Sequence, residues 1–257
     1  MQVQIEKVRE RVSPEEWTTR VELAACYRLV HHYGMTDLIY NHISARVPGT
    51  DHLLINAYGY LYSEITASNL VTIDLNGDEV LAPQTPHGYG VNQAGALIHT
   101  AVHQVRHDAM CVIHTHTRAG MAVSAIEEGL LPLTQTAMRF YNAVAYHDYE
   151  GPALNPDEKA RLQRDLGEHD VMILRNHGLL AVGPSVAEAF NRIYWLEMAC
   201  KAQVDALSMG RKLNMPTQQA KEVTADVLHP KKRGLLGKRA WPALIRMLDS
   251  IDPSYAR

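Results

Sequence analysis

Two histidines stand one residue apart in the segment CVIHTHT, residues 111–117. The apolar residues before them predict a buried strand, and residues two apart on a strand face the same side. His114 and His116 are therefore expected to project side by side. Imidazole nitrogen is a common ligand of zinc and similar ions, and a catalytic zinc site usually has three protein ligands and one open position. The pair could supply two of those three ligands.

A third histidine follows another apolar segment, in VMILRNHGLLAVG, residues 171–183. His177 stands beside Gly178, whose missing side chain would allow backbone or a ligand to come close. The alternative is that these histidines are ordinary hydrogen-bonded core or edge residues, because a His-x-His pair is short and arises easily by chance. Residue types and spacing alone leave both interpretations open.

Helices and strands alternate around these histidines. Ser13 and Pro14 predict the N-terminus of a first helix that ends at Gly34. The segments HISARVPG, HLLINAYG and LVTIDLNGDEV predict a hairpin-rich β region. The segment QAGALIHTAVHQVRHD is helical, and the CVIHTH strand follows it. The next helix, RAGMAVSAIEEG, is expected to end at Gly129.

Two more helices flank the strand pair that contains His177. The segment NPDEKARLQRDLGEHD predicts an amphipathic helix capped by Asn155, with Pro156 at its first position. The longest helix follows the strand pair, and Ser185 with Glu188 three residues later forms a capping box at its start. This alternation predicts one mixed α/β domain over residues 1–215. Residues 216–257 are expected to be an extension, a loop and a final helix, that packs on the domain or on a neighbouring subunit.

Composition narrows the class of protein. The 257 residues are 46% hydrophobic and 21% charged, with a net charge of −3, so nothing in the charge favours nucleic acid or anionic lipid. The basic segment HPKKRGLLGKR is expected to be a solvated face, with an anion or subunit contact as the alternative. No signal peptide and no apolar run of about 18 residues is present. Three cysteines in apolar segments fit reduced thiols, so a cytoplasmic protein is expected.

The segment CVIHTHTRAGMAVSA, followed about sixty residues later by VMILRNHGLLAVGPSVAEAF, resembles the class II aldolase/adducin family. The likeness covers roughly residues 20–210 and is strongest to the adducin head domain and its bacterial relatives. Four other segments carry it: LIYNHISARV, YGYLYSEITASNLVTIDLNGD, GVNQAGALIHTAVH and VAYHDYEG. The resemblance implies a three-layer α/β/α sandwich around a mostly antiparallel mixed sheet, assembled as a homotetramer with sites near subunit boundaries.

The resemblance also implies a ligand set. His114, His116 and His177 correspond to the zinc ligands of the family. His99, fifteen residues before the first of them, is a further candidate, either as a weaker ligand or as a residue that supports the ligands, with ordinary helix packing as the alternative. The expected cofactor is Zn²⁺ or another divalent ion such as Mn²⁺, since imidazole binds several transition metals.

The sequence departs from the aldolases at the catalytic acid. Aldol cleavage needs a carboxylate to move a proton, and the aldolases carry it nineteen residues before the first zinc histidine. That position is Gly95 here, so ordinary class II aldolase activity is not expected. The preceding serines, which help to hold substrate phosphate, correspond to Gln93 and Ala94, whereas Asn41 and Gly59 match positions of the phosphate pocket.

Two functions remain open. The first is a metal-dependent lyase that acts by non-aldol or altered carbon–carbon cleavage, such as decarboxylation, on a small oxygenated carboxylate or carbohydrate-like substrate. The second is a catalytically silent adducin-like binding or scaffold protein that retains the metal site. Three retained ligands favour the enzyme. A membrane-skeleton role is not expected, because the sequence has no counterpart of the neck and basic tail of eukaryotic adducins.

The enzyme hypothesis assigns roles to several polar residues. Asn41, His42, Gly59 and Gln93 are expected to bind substrate. Candidates for proton transfer are Gln93, Glu64 and Tyr141. The alternative for each of these polar residues is ordinary surface or packing hydrogen bonding, which for Glu64 means a loop or capping role.

Overall fold

The computed structural model describes residues 7–82, 90–152, 155, 157–228, 237 and 239–257. The helices are α1 Val8–Arg11, α2 Pro14–His32, α3 Gln93–Val105, α4 Arg118–Ser124, α5 Gln135–Met138, α6 Glu158–Leu166, α7 Val186–Ser208, α8 Gln218–Leu228 and α9 Trp241–Ile251. The strands are β1 His42–Arg46, β2 Leu53–Asn56, β3 Leu70–Ile73, β4 Glu79–Leu81, β5 Cys111–Thr115, β6 Val144–His147, β7 Val171–Leu174 and β8 Gly178–Gly183. Pro156 and most of the predicted basic segment lie outside the described residues.

The eight strands form one sheet in the order β4-β3-β2-β1-β5-β8-β7-β6. Every neighbouring pair is antiparallel except β6 and β7, which are parallel. In the β1/β5 pair His42 lies directly opposite His114, so their side chains share one face of the sheet. The sheet is mixed and mostly antiparallel, as expected.

Both faces of this sheet are covered. On β5 and β7, Ile113 and Ile173 belong to a core with α2 and α7, whereas Val112 and Met172 belong to a second core with α3 and α6. Alternate strand residues thus enter different cores, as the period of a strand requires. The predicted three-layer α/β/α architecture is confirmed.

The predicted helix caps hold at the ends of the two longest helices. Ser13 Oγ accepts from Glu16 N at 3.1 Å, with Pro14 in the first turn. Ser185 Oγ accepts from Glu188 N at 3.2 Å, so the predicted N-cap is present. Glu188 Oε2 accepts from the Ser185 hydroxyl at 3.1 Å and not from the Ser185 amide, so the reciprocal contact of the predicted capping box is not formed. Local hydrogen-bonding residues were therefore sufficient to place both helix starts.

Two helix boundaries differ from the prediction. Helix α4 ends at Ser124, not Gly129, and the Ser124 hydroxyl bonds the carbonyl of Met121, a local contact that competes with helix continuation. Helix α6 begins at Glu158 because the Asn155 side chain and carbonyl accept from the amides of Asp157 and Glu158, which closes a turn ahead of the helix.

Among its described residues, the end of the chain contains a helix that the sequence did not indicate. Helix α8 lies where only a loop was predicted. Helix α9 is the expected final helix, and its Trp241 ring lies 6.1 Å from the Phe190 ring of α7. The amide of Ser68 donates to the carbonyl of Arg257 at 2.9 Å, so the described C-terminus packs on the domain.

Among the described residues, none of the helices combines the length and apolar character needed to cross a membrane.

Candidate metal centre

Three histidine side chains meet at one edge of the sheet. The Nε2 atoms of His114 and His116 are 2.8 Å apart, those of His116 and His177 3.0 Å, and those of His114 and His177 3.3 Å. His114 is in β5 and His116 follows the last residue of that strand. His177 is in the turn between β7 and β8, where the backbone of Asn176 has φ +54°. The three predicted ligands are thus brought together by two neighbouring strand ends.

The outer nitrogens of two of these rings are held by acceptors. His114 Nδ1 lies 2.9 Å from the carbonyl oxygen of Leu179, and His116 Nδ1 lies 3.1 Å from Asp37 Oδ2. A carbonyl or carboxylate oxygen can only accept, so each Nδ1 carries a proton, and Nε2 is the nitrogen whose lone pair is available to a metal. Two lone pairs 2.8 Å apart repel unless a cation lies between them.

The geometry therefore fits a metal ion. Ligands about 2.0–2.1 Å from a tetrahedral ion lie about 3.3 Å apart, close to the separations seen here. Burial, followed by His177 and other neighbouring histidines, holds the pKa of His114 well below its ordinary value. Burial and the neighbouring His116 and His147 lower the pKa of His177 to about 4. Neutral imidazole is the form that binds metal.

Gly178 allows the two strand ends to approach. A Cβ at this position would collide with the carbonyl oxygen of Thr115 and would lie 3.2 Å from His116 Cδ2. The expected close approach is therefore one of backbone to backbone, which brings His177 beside the His114/His116 pair.

His99 does not join the three histidines. Its Nε2 lies 2.9 Å from His42 Nδ1, and its Nδ1 bonds Ser44 Oγ. Both ring nitrogens are thus engaged away from the cluster, and burial lowers the pKa of His99 to about 3. The ligand role suggested by the resemblance does not suit this geometry, whereas a supporting role does.

The four predicted substrate-binding residues differ in burial and in surroundings. Asn41 is 1% exposed, its Oδ1 accepts from the amide of Asp37 at 2.5 Å, and its Nδ2 has no hydrogen-bond partner in the described part of the chain. His42 lies beside the cluster, with its ring 5.0 Å from that of His114. Gly59 is in a turn with φ +98°, and Gln93 is exposed at the start of α3.

Two predicted proton-transfer residues have partners elsewhere. Glu64 is exposed, and its Oε2 accepts from the amide of Leu61 at 2.8 Å at the start of a short 3₁₀ turn. The Tyr141 hydroxyl lies 3.2 Å from Gln218 Oε1 on α8. Glu64 thus has the capping role that the sequence offered as an alternative to proton transfer. Tyr141 contacts the C-terminal segment through Gln218.

Sequence reasoning missed two neighbours of the cluster. Asp37 orients His116, and the Tyr149 ring lies 6.2 Å from the His177 ring. Both come from segments between regular elements, and neither belongs to a spacing pattern that predicts a ligand partner. The only local signal was the position of Asp37 four residues before Asn41, immediately before the segment LIYNHISARV that resembles the family.

Comparison with known proteins gives consistent matches. Residues 21–204 match the model of the family described as Class II Aldolase and Adducin N-terminal domain. A Pseudomonas aeruginosa protein provisionally named a class 2 aldolase is 50% identical over 252 residues, which cover 96% of this chain and 95% of that protein. Rat alpha-adducin is 43% identical over 245 residues, which cover 90% of this chain and 33% of that protein.

Solved structures show the same fold. An aldolase II superfamily protein from Pseudomonas syringae superposes with a TM-score of 0.90 at 47% identity, covering 98% of this chain and all of that one. L-fuculose 1-phosphate aldolase from Glaciozyma antarctica superposes with a TM-score of 0.81 at 22% identity, covering 100% of this chain and 97% of that one. The second likeness is one of fold.

Proposed function

This chain belongs to the class II aldolase and adducin family, and we propose that it is a divalent-metal-dependent lyase acting on a small oxygenated carboxylate or carbohydrate-like substrate. The observation that carries the proposal is the convergence of three Nε2 atoms within 3.3 Å, two of them with lone pairs fixed by the acceptors behind them. A closed structural site would require a fourth protein ligand. The three-histidine group found among the described residues leaves a coordination position for substrate.

Each histidine has a distinct support in this proposal. His114 is oriented by the Leu179 carbonyl, His116 by Asp37, and His177 by the turn that Gly178 permits. A divalent ion bound here would act as a Lewis acid and stabilise negative charge that develops on a substrate oxygen. Three imidazoles favour Zn²⁺, with Mn²⁺ as the alternative.

The proposed reaction is a carbon–carbon cleavage other than ordinary aldol cleavage. Loss of CO₂ from a hydroxy or aromatic acid leaves negative charge beside a carbonyl or ring, and it requires no carboxylate at position 95. Asn41, whose buried Nδ2 has no hydrogen-bond partner among the described residues, and His42 are the side chains that we place around the substrate, with Gln93 at the rim. We assign no proton transfer to Glu64 or Tyr141, because Glu64 hydrogen-bonds Leu61 and Tyr141 hydrogen-bonds Gln218.

We extend the proposal to assembly and location. A homotetramer is proposed because family members commonly form one, with sites near subunit boundaries. A cytoplasmic location is proposed because Cys26, Cys111 and Cys200 are all buried free thiols.

A binding or scaffold protein is the second candidate. It is favoured by one observation: position 95, where the aldolases carry the catalytic acid, is a glycine in a chain that is 43% identical to rat alpha-adducin over 245 residues. Such a protein could keep the metal as a structural element without turning over a substrate.

One experiment separates these candidates. The purified protein is stripped with a chelator, reloaded with Zn²⁺ or Mn²⁺, analysed for metal and assayed against a panel of hydroxy acids and sugar phosphates. The His116→Ala variant should bind less metal and lose turnover, whereas His107→Gln, at an exposed histidine, should match the wild type.

The outcomes point to different conclusions. Metal-dependent turnover of any panel member supports the lyase. One metal ion per chain without turnover supports the scaffold. A wild type that takes up no metal and turns over nothing contradicts the enzyme proposal.

A further inference from the structure

A row of buried polar side chains lies between β1 and α3. His42 and Ser44 are two residues apart on β1, so they share a face, and His99 and His103 are four apart on α3, so they do too. All four are at most 4% exposed. Such a set is unusual inside a three-layer fold, where alternate strand residues normally enter an apolar core.

The row is a continuous chain of hydrogen bonds. His103 Nε2 lies 2.8 Å from Ser44 Oγ, which also bonds His99 Nδ1. His99 Nε2 lies 2.9 Å from His42 Nδ1. Each neutral imidazole can donate with one nitrogen and accept with the other, so each link constrains the next ring. These hydrogen bonds therefore fix the orientation of the His42 ring. Because His42 Nδ1 bonds His99, Nε2 is the ring nitrogen that can contact another group.

The His42 ring fills the space in front of Gly95. A Cβ at position 95 would lie 2.6 Å from His42 Cδ2, 2.9 Å from Cγ and 3.0 Å from Nε2. The ring is tilted by 31° to the His114 ring, whose centroid is 5.0 Å away. The glycine and the imidazole thus form a complementary pair: His42 can lie beside the metal ligands only because residue 95 has no side chain.

We propose that His42 Nε2 contacts the substrate at this metal centre, in the space that a side chain at position 95 would otherwise occupy. Ser44 and His99 are positioning residues for His42, and the substrate is a small bidentate carboxylate. This inference rests on the proposed function, since it requires a metal held by His114, His116 and His177. It adds a specific substrate class and a specific contact.

The ligand class follows from the charges around the cluster. An imidazole that binds a metal ion through its lone pair is neutral, and Asp37 is the carboxylate that the described residues place in contact with a cluster histidine. A divalent ion in this setting leaves net positive charge, which favours an anionic chelator. A carboxylate projecting from position 95 would repel such a ligand, whereas an imidazole can donate a hydrogen bond to it.

The probe is oxalate, and the readout is its dissociation constant for the Zn²⁺-loaded protein by calorimetry. His42→Ala should weaken oxalate binding about tenfold or more, because a hydrogen bond to a charged oxygen is lost. Gly95→Ala keeps His42 but forces its ring to move, so it should weaken oxalate binding and lower the melting temperature. In the His42→Ala background, Gly95→Ala should have no further effect, because the space is then free.

Positioning by His99 has its own readout. His99→Leu removes the hydrogen bond to His42 at similar volume and should weaken oxalate binding about tenfold. His99→Gln can still bond His42 and should restore most of the affinity. If both variants bind oxalate as tightly as the wild type, His99 does not position His42.

Metal analysis of every variant keeps this inference separate from the proposed function. A wild type without metal contradicts the proposed function. A metal-loaded wild type that does not bind oxalate overturns the ligand class. A metal-loaded His42→Ala that binds oxalate as tightly as the wild type, or a Gly95→Ala that is as stable and as tight, overturns the role of His42 alone. Gly95→Ala also serves if His42→Ala fails to fold.

Discussion

Asp37 is the residue whose removal tests the support of the metal site most simply. It holds His116 Nδ1 at 3.1 Å, and partners of this kind fix the tautomer and orientation of a ligand ring. We expect Asp37→Ala to weaken Zn²⁺ binding about 10–100-fold in a chelator competition assay. Asp51→Ala is the matched control, since Asp51 is 86% exposed and lies 3.7 Å from Arg46. Equal affinity in Asp37→Ala and wild type would contradict the assigned support.

His103 gives a prediction for acid stability. Burial lowers its pKa to about 3, against an ordinary value of 6.5. Between these values the unfolded chain binds a proton at this residue that the folded chain does not, so the free energy of unfolding falls as pH drops below about 6.5. His103→Gln should reduce this slope by about one proton, or about 1.4 kcal/mol per pH unit.

The slope is measured by urea unfolding of the metal-free protein at steps from pH 6.5 to 5. His107→Gln, at an exposed histidine, should retain the wild-type slope. If His103→Gln also retains it, His103 is not a buried neutral residue in the folded chain.

Sequence reasoning selected the three central histidines, and named His42 beside them, but not how the surrounding residues pack. His-x-His spacing is local, so alternation along one strand was enough to pair His114 with His116. The pairing of His42 with Gly95 depends on the β1/β5 register and the packing of α3, which no local pattern encodes. The sequence alone suggests Gly95→Glu as a route to aldolase activity. A Cβ at position 95 would collide with the His42 ring, so we expect Gly95→Glu to need a shorter side chain at position 42 as well.

At the scale of elements, Gly178 links strand pairing to the metal site. A Cβ there would collide with the Thr115 carbonyl, which would push β8 from β5 and move His177 from His116. We expect Gly178→Ala to lower the free energy of unfolding by about 1–3 kcal/mol and also to weaken Zn²⁺ binding.

Gly183→Ala is the control on the same strand. Its Cβ would collide with the backbone of Ala189, at the end of β8 away from the histidines. It should therefore be similarly destabilised in urea unfolding while its Zn²⁺ affinity stays at the wild-type value. Equal loss of affinity in both variants would show that strand strain is transmitted along β8 and not confined to the His177 end.

Most elements near the site were predictable because their signals are local. Ser13 and Ser185 mark helix starts by their own hydrogen bonds, and the β-rich segments alternate as strands do. Strand β6 and helix α8 were not predicted: β6 depends on parallel pairing with β7, and α8 has Leu228 as its one buried residue. Nonlocal pairing and weak burial leave little trace in a sequence.

At the scale of the whole molecule, the proposed assembly gives a measurable mass. We expect sedimentation equilibrium to show a species of about 115 kDa, four times the 28.8 kDa chain. Oligomers of this kind bring sites close to subunit boundaries, so dilution that dissociates the tetramer should also reduce any turnover. A species of 28.8 kDa with full activity would contradict the tetramer but not the metal site.

The central claim is that His114, His116 and His177 hold one divalent metal ion. Anomalous diffraction from crystals grown with Zn²⁺, collected on both sides of the zinc absorption edge, tests it directly. We expect one strong peak per chain, about 2.0–2.1 Å from the Nε2 atom of each of the three histidines. Crystals that show no peak there, or a zinc peak only at other residues, would contradict the claim.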